Sequence, residues 1–376
     1  MINNNYIPAS TSLIVNGFER GVIIDLPRNK YEFVPNSISD FLKLLKKQPF
    51  KTIYNDTPLE YQSIVIEYLE FCLEKEYVLE IPHEVEKKQF PKLNLQFELP
   101  SIISNLVIKL NKDSQINYET IKNVLTFTKC YNIQLIFEND FELQNIDTLL
   151  SAISPIGLRS IEIIAPFNPN FNYQTLTDVH KNIAYIFIYS APTKQVLKEH
   201  YFGVQQIYSS TSDFKITYLK SLNFFNVNIT LFTESQKHNT YFNRKLFIGS
   251  NGEIKNSPES LHIFGNINDI KPVGKILQII NSTKFQSYWL VNKDIIDVCK
   301  HCEFRHMCVD NRIPIKRNAS EYFMETECNY NPYITKWQEE EGYNTLAECG
   351  IITNKEGFKI NRKKLNAINI ELWDND

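Results

Sequence analysis

The sequence predicts an α/β protein in three parts. These are a small N-terminal module over residues 1–90, a central run of βα units over 101–235, and a cysteine-rich C-terminal part over 240–376. Three observations carry this reading. Short turn-separated strands precede helical periodicity near the N-terminus. From about residue 101, apolar strands of five or six residues alternate with amphipathic helices, the pattern of parallel βα units in an open sheet or partial barrel. Finally, four of the seven cysteines fall between Cys299 and Cys328 at the spacing C-x2-C-x5-C-x19-C.

In the N-terminal module, residues 12–15, 21–26 and 30–34 read as strands, with Asn16-Gly17 and Pro27-Arg28-Asn29 as turns. Ile38, Phe41, Leu42 and Leu45 recur at helical spacing. Thr57-Pro58-Leu59-Glu60 reads as a helix start with a capping box, and Tyr77 to Ile81 as a closing strand. Three strands, helices and a closing wing resemble a winged-helix domain of the kind called a RiPP recognition element. Such a domain holds the leader of a ribosomally made precursor peptide. The resemblance implies strand addition along Lys30, Tyr31, Glu32, Phe33 and Val34, beside the helix after Pro58.

The central part reads as strands at 106–110, 133–137, 160–164, 184–188, 205–208, 214–218 and 227–232. Helices are expected at Tyr118–Cys130, Asp147–Ile153, Tyr173–Asn182 and Lys194–His200. No G-x-G-x-x-G follows the first strand and no G-x-x-x-x-G-K-[ST] occurs, so neither dinucleotide nor P-loop nucleotide binding is supported. Lys109, Glu138 and Asp140 lie at strand ends, where solvated loops are the first expectation. His180, His200 and His238 have no metal-type spacing.

The cysteine spacing is a metal signal. A tight turn brings two thiolates separated by two residues to one centre, and a third and a distant fourth complete a four-sulfur shell. Cys299, Cys302, Cys308 and Cys328 are the expected ligands, and by count they suit tetrahedral Zn²⁺ or a [4Fe–4S] cluster equally. His301 and His306 lie inside the motif, but four cysteines already complete the shell. Asp310, Arg305 and Arg312 are placed to orient the sulfurs or to form a local salt bridge. Cys72, Cys130 and Cys349 read as structural. Beyond the motif, Thr335–Glu341, Thr345–Cys349 and Asn361–Leu365 read as short helices, and Ile368–Trp373 as a strand.

The run Asn243-x-x-Leu246-x-Ile248, Gly252-Glu253-Ile254, Gly265-Asn266-Ile267 and then the four cysteines resembles the SPASM domain of peptide-modifying radical SAM enzymes. More narrowly, Cys302-Glu303-Phe304-Arg305, Cys308-Val309-Asp310, Pro314 and Cys328-Asn329-Tyr330-Asn331-Pro332 resemble the SPASM peptide maturase of grasp-with-spasm systems. The resemblance implies a degenerate partial (β/α) barrel, one [4Fe–4S] cluster with Zn²⁺ as the alternative, a precursor leader peptide and an ATP-grasp ligase as partners. Two departures qualify it. Ser257 lies near, and Arg312 occupies, positions where two-cluster SPASM domains carry cysteine, so one cluster's ligands are missing. The C-x3-C-x2-C of a radical SAM barrel is absent, since Cys72 and Cys130 are the only cysteines before Cys299. Radical SAM activity is therefore expected to be absent.

With 376 residues, 43% of them hydrophobic, the chain can build two or three cores. Its net charge of −3 provides no cationic field for nucleic acid. No apolar run reaches membrane-spanning length and Met1-Ile2-Asn3-Asn4-Asn5 has no signal-peptide character, so a soluble cytoplasmic protein is expected. The functional expectation is a RiPP biosynthesis protein that binds a precursor peptide and assists its maturation. The alternatives are a peptide-modifying enzyme with metal-assisted chemistry and a zinc-stabilised winged-helix DNA-binding regulator. Glu60, Glu67, Glu70 and Glu74 on the second helix count against DNA.

Overall fold

The computed structural model describes residues 1–82, 90–115, 117–154, 157–198, 205–210 and 225–373. The expected strand at 214–218 and His200 lie outside them. The chain forms two compact units, one of Met1–Phe97, Tyr218–Thr240 and Val291–Asp376, the other of Glu98–Thr217 and Tyr241–Leu290.

The first unit opens with β1 (Asn5–Pro8), β2 (Ser12–Asn16), β3 (Arg20–Asp25), β4 (Lys30–Pro35), α1 (Asn36–Leu45), α2 (Phe50–Asp56), α3 (Gln62–Glu74) and β5 (Val78–Ile81). β2, β3 and β4 form an antiparallel sheet with β3 central, and β1 pairs with β5. The period-2 alternation of strands divides the sheet between two cores. Ile23 and Val34 face α1–α3, while Val22, Ile24 and Tyr31 face the cysteine-rich segment. α1 buries Ile38, Phe41, Leu42 and Leu45, as its spacing predicts.

The start of α3 departs from expectation. Thr57 Oγ1 donates to the Ile53 carbonyl and so closes α2, a helix the sequence pattern did not reveal. Pro58 then leads into a 3-10 turn at Leu59–Tyr61, and no side chain caps α3.

In the second unit, β6 (Asn105–Leu110), α4 (Tyr118–Thr128), β7 (Asn132–Phe137), α5 (Asn145–Ile153), β8 (Ser160–Pro166), α6 (Tyr173–Val179) and β9 (Ile183–Tyr189) are consecutive βα units. β10 (Gln195–Lys198) and β11 (Gln205–Tyr208) follow. After α7 (Ile229–Ser235), a helix of the first unit, come β12 (Lys245–Ile248), β13 (Ile254–Lys255) and α8 (Ile276–Ile280). Among the described residues the sheet order is β10-β11-β9-β8-β7-β6-β12-β13, parallel from β11 to β12 with an antiparallel strand at each edge. This large, mostly parallel sheet is consistent with a partial barrel. Leu106, Ile108, Leu135 and Ile163 join the helix-covered core, whereas Val107, Ile136 and Ile164 form a cluster on the opposite face.

Two local readings are corrected here. Lys194–His200 was expected as a helix, but Gln195–Lys198 pairs antiparallel with β11. Residues 227–232 were expected as a strand, but Asn228 accepts hydrogen bonds from the Thr230 and Leu231 amides and starts α7.

The first unit ends in β14 (Ile315–Lys316), β15 (Tyr322–Phe323), β16 (Tyr330–Asn331), β17 (Lys336–Trp337), β18 (Ile351–Asn354), β19 (Gly357–Ile360) and α9 (Arg362–Trp373). The expected helix at Thr335–Glu341 is instead β17, which pairs antiparallel with β16, followed by turn residues. Thr345–Cys349 makes a single turn ended by Gly350 at φ +77°. Ile368–Trp373, expected as a strand, continues α9, whose Leu365 is its buried anchor. No helix among the described residues is long and apolar enough to cross a membrane.

Candidate metal centre and peptide-facing strand

The segment leading to the cysteines begins with a backbone constraint. The Cys299 amide donates to the Asp297 carbonyl at 2.7 Å across Val298, which sits at φ 64°, ψ −53°. This is a γ-turn of the rarer positive-φ kind, unfavourable for a β-branched residue, and such strain persists only where surrounding structure enforces it. A 3-10 turn over Cys299–His301 then carries the Cys302 amide to the Cys299 carbonyl at 3.0 Å, which places both thiols on one side of a single turn. Cys308 follows the turn closed by Met307 N to Phe304 O at 2.9 Å, and Cys328 lies two residues before β16.

All four thiols line one cavity of about 260 Å³, and none is in a disulfide. Burial pushes the Cys299 thiol up to about 11, against the opposing pull of Lys293 and Arg312. Burial likewise raises Cys302, Cys308 and Cys328. The metal-free centre is therefore a set of neutral thiols, and binding a metal requires it to release protons. Among the described residues no three His, Cys, Asp or Glu side chains converge on a point suited to a single metal ion.

The cavity wall carries buried charge. Arg312 clasps Asp310 through Nε at 3.0 and 3.1 Å and through Nη2 at 2.6 Å, and donates to the Thr326 carbonyl at 2.6 Å. Burial works to raise the Asp310 carboxyl, but Arg312 and Lys293 outweigh it and hold it low. Lys293 is 4% exposed, and its Nζ has no hydrogen-bond partner among the described residues. An unpaired buried ammonium is costly unless something anionic faces it. Thiolates bound to a metal would be such a group, so the donor set and the orphaned cation together fit a thiolate-held centre.

The two histidines of the motif do not line the cavity. His306 is buried, with Nδ1 2.9 Å from Ser235 Oγ, and His301 packs among Phe18, Tyr333 and Phe358. Cys349 is buried apart from the cavity and accepts from Asn331 Nδ2 at 3.3 Å. In the second unit Lys109 pairs with Glu138 at 2.6 Å, and His180 is buried with Nε2 2.8 Å from Asp147.

β4 is an edge strand whose outer side pairs with no strand among the described residues. Its side chains divide between two faces. Lys30 is exposed, and Glu32 accepts a hydrogen bond from Tyr77 and lies 3.4 Å from Lys75 Nζ. Val34 is buried under the helices. Tyr31 and Phe33 turn to the other face, with ring centroids 5.9 and 5.7 Å from that of Phe304. The Arg20 guanidinium lies 3.5 Å from the centre of the Phe33 ring and donates to Glu303, the neighbour of Cys302. Glu303 and Tyr330 join through a 2.5 Å hydrogen bond. The expected strand thus leans directly on the cysteine-rich segment.

Lys293 was missed by sequence reasoning. A lysine in the polar run Asn292-Lys293-Asp294 reads as solvent-exposed, since lysine is almost never fully buried. Only its position six residues before Cys299 could have drawn notice.

No protein-family model and no curated protein matches this chain. Among solved structures it is similar to Streptococcus suis SuiB, at TM-score 0.31 and 10% identity over 81% of this chain and 94% of that one. SuiB bound to S-adenosylmethionine gives 0.30 and 10%, and SuiB bound to precursor peptide SuiA gives 0.27 and 9%, with the same coverage. A likeness this loose assigns the chain neither a family nor an activity.

Proposed function

We propose that this chain serves the maturation of a ribosomally made peptide. It holds a precursor leader along β4, carries one [4Fe–4S] centre at Cys299, Cys302, Cys308 and Cys328, and works beside an ATP-grasp ligase. It runs no S-adenosylmethionine radical chemistry, because the C-x3-C-x2-C motif is missing from its sequence. The observation that carries the reading is the cavity that the four thiols share with a buried, unpartnered ammonium. When bound, a cluster there would supply an anionic centre able to carry electrons and to tie residues 299–328 into one unit.

The peptide half of the reading rests on the unpaired edge of β4; Leu59 and Tyr61 in the 3-10 turn and Ile64 in α3 add exposed apolar surface to the same unit. An edge strand offers unpaired backbone groups to an extended peptide, and apolar side chains beside it offer specificity. The 3-10 turn exposes Glu60 and α3 exposes Glu67, Glu70 and Glu74, which repel phosphate.

Fluorescence anisotropy tests this directly, with a labelled precursor leader from a grasp-with-spasm system and, in parallel, a labelled DNA duplex. Saturable leader binding, weakened by Ile64→Asp, is the expected result. Duplex binding without leader binding would overturn the reading in favour of a DNA-binding regulator.

A further inference from the structure

We infer that Lys293 is the dedicated counter-charge of the four-cysteine centre, a positioning residue whose ammonium holds the bound, anionic form in place. The inference rests on the proposed metal centre and adds a residue that the cysteine motif does not include.

Asp297 is satisfied by Arg317 at 2.5 Å and Lys300 at 3.1 Å. Arg305 reaches Asp294 at 2.8 Å and donates to the Asn16 and Cys302 carbonyls. Asp310 and Arg312 neutralise each other in a bidentate clasp. Glu325 and Glu327 on the rim are exposed to water. Among the described residues one charge in the wall is left over, and it is Lys293, 4% exposed with no partner for its Nζ.

The backbone explains why it stays there. Lys293 opens a 3-10 turn, and Asn292 beside it is anchored by donating to the Gln236 carbonyl at 2.8 Å. From this anchored position the lysine side chain runs into the cavity wall and is buried there. Among the described residues no acidic side chain pairs with its ammonium. Four thiolates on a metal group carry net negative charge and have sulfur acceptors facing the cavity. One binding event therefore satisfies both the orphaned cation and the desolvated anion, so metal affinity and reduction potential both depend on this lysine.

The test uses the full-length protein purified anaerobically, as wild type and as Lys293→Met, Lys293→Gln and Lys293→Arg. Circular dichroism checks folding. Iron, sulfide and zinc content, a redox titration followed in the visible, and competition with a chromophoric chelator are the readouts. The two neutral variants are expected to lose metal to the chelator about 10-fold more readily. Any cluster they retain should be reduced only at more negative potential, because a nearby cation no longer favours the added electron. Lys293→Arg should restore both properties. Lys293→Gln carries the test if Lys293→Met does not fold.

Neutral variants with wild-type metal content, potential and chelator resistance would overturn this inference while leaving the metal centre intact. A wild-type protein that binds neither iron–sulfur nor zinc would overturn both.

Discussion

Arg20 Nε donates to Glu303 Oε1 at 2.9 Å, joining residues 283 positions apart. Glu303 is 1% exposed and accepts a second hydrogen bond from Tyr330, while its Oε2 has no partner. Arg20 also covers the Phe33 ring on β4. One guanidinium thus touches both the strand proposed to hold a peptide and the residue next to a proposed metal ligand.

Replacing Arg20 by Met should therefore leave a buried carboxylate without its cation. We expect a loss of about 2 kcal/mol, less than for a fully buried pair because the Arg20 side chain keeps some contact with water. Urea denaturation measures it. The double variant with Glu303→Gln should recover part of the loss, and a double variant as unstable as the sum of the two singles would show that the pair is not coupled.

Phe304 is fully buried and stacks on Phe225 with centroids 4.3 Å apart, while Tyr31, Phe33 and Tyr330 approach its edges. Phe304→Ala should cost about 3–5 kcal/mol, as a large-to-small change in a packed core. A shift within error in the denaturation midpoint would mean that this cluster does not hold β4 to the cysteine-rich segment.

Single Cys→Ser changes at 299, 302, 308 and 328 should each abolish stoichiometric metal binding, because every one of these thiols lines the cavity. Cys349→Ser should leave metal content unchanged, since Cys349 packs elsewhere among Tyr333, Leu346 and Leu365. Metal analysis of the five proteins, purified in parallel, decides between ligand and bystander.

Much of this arrangement was legible in residue order, and the misses share a cause. The βα units were legible because strand and helix periodicities repeat between Asn105 and Tyr189. The cysteine spacing pointed to one centre; the four cysteines line one cavity, though among the described residues no three His, Cys, Asp or Glu side chains converge as for a single metal ion. Thr57 misled because a hydroxyl can cap the helix behind it as readily as the one ahead, and here it bonds back to Ile53. Lys194–His200 reads as helix, but the pairing of 195–198 with β11 decides a short segment that propensity leaves open. Lys293 was illegible because its burial depends on a cavity assembled from residues up to 60 positions downstream.

Acid sensitivity should report on β4. The Tyr77 hydroxyl, with Lys30 and Lys75 nearby, holds the Glu32 carboxyl below its usual value against the opposing effect of burial. A carboxylate with a lowered folded-state pKa adds stability above its unfolded value of 4.5, and that stability is lost as pH falls through the folded value. Melting temperatures of wild type and Glu32→Gln should therefore differ most at neutral pH and converge as pH drops below 4.5. A gap that stays constant down to acid pH would remove Glu32 from this account.

The central claim is that the four thiols hold a cluster. Anaerobic purification followed by visible absorption with iron, sulfide and zinc analysis tests it most directly. We predict a broad visible band with about four irons and four sulfides per chain. A colourless protein with one zinc, or with four freely alkylated cysteines and no metal, would contradict it.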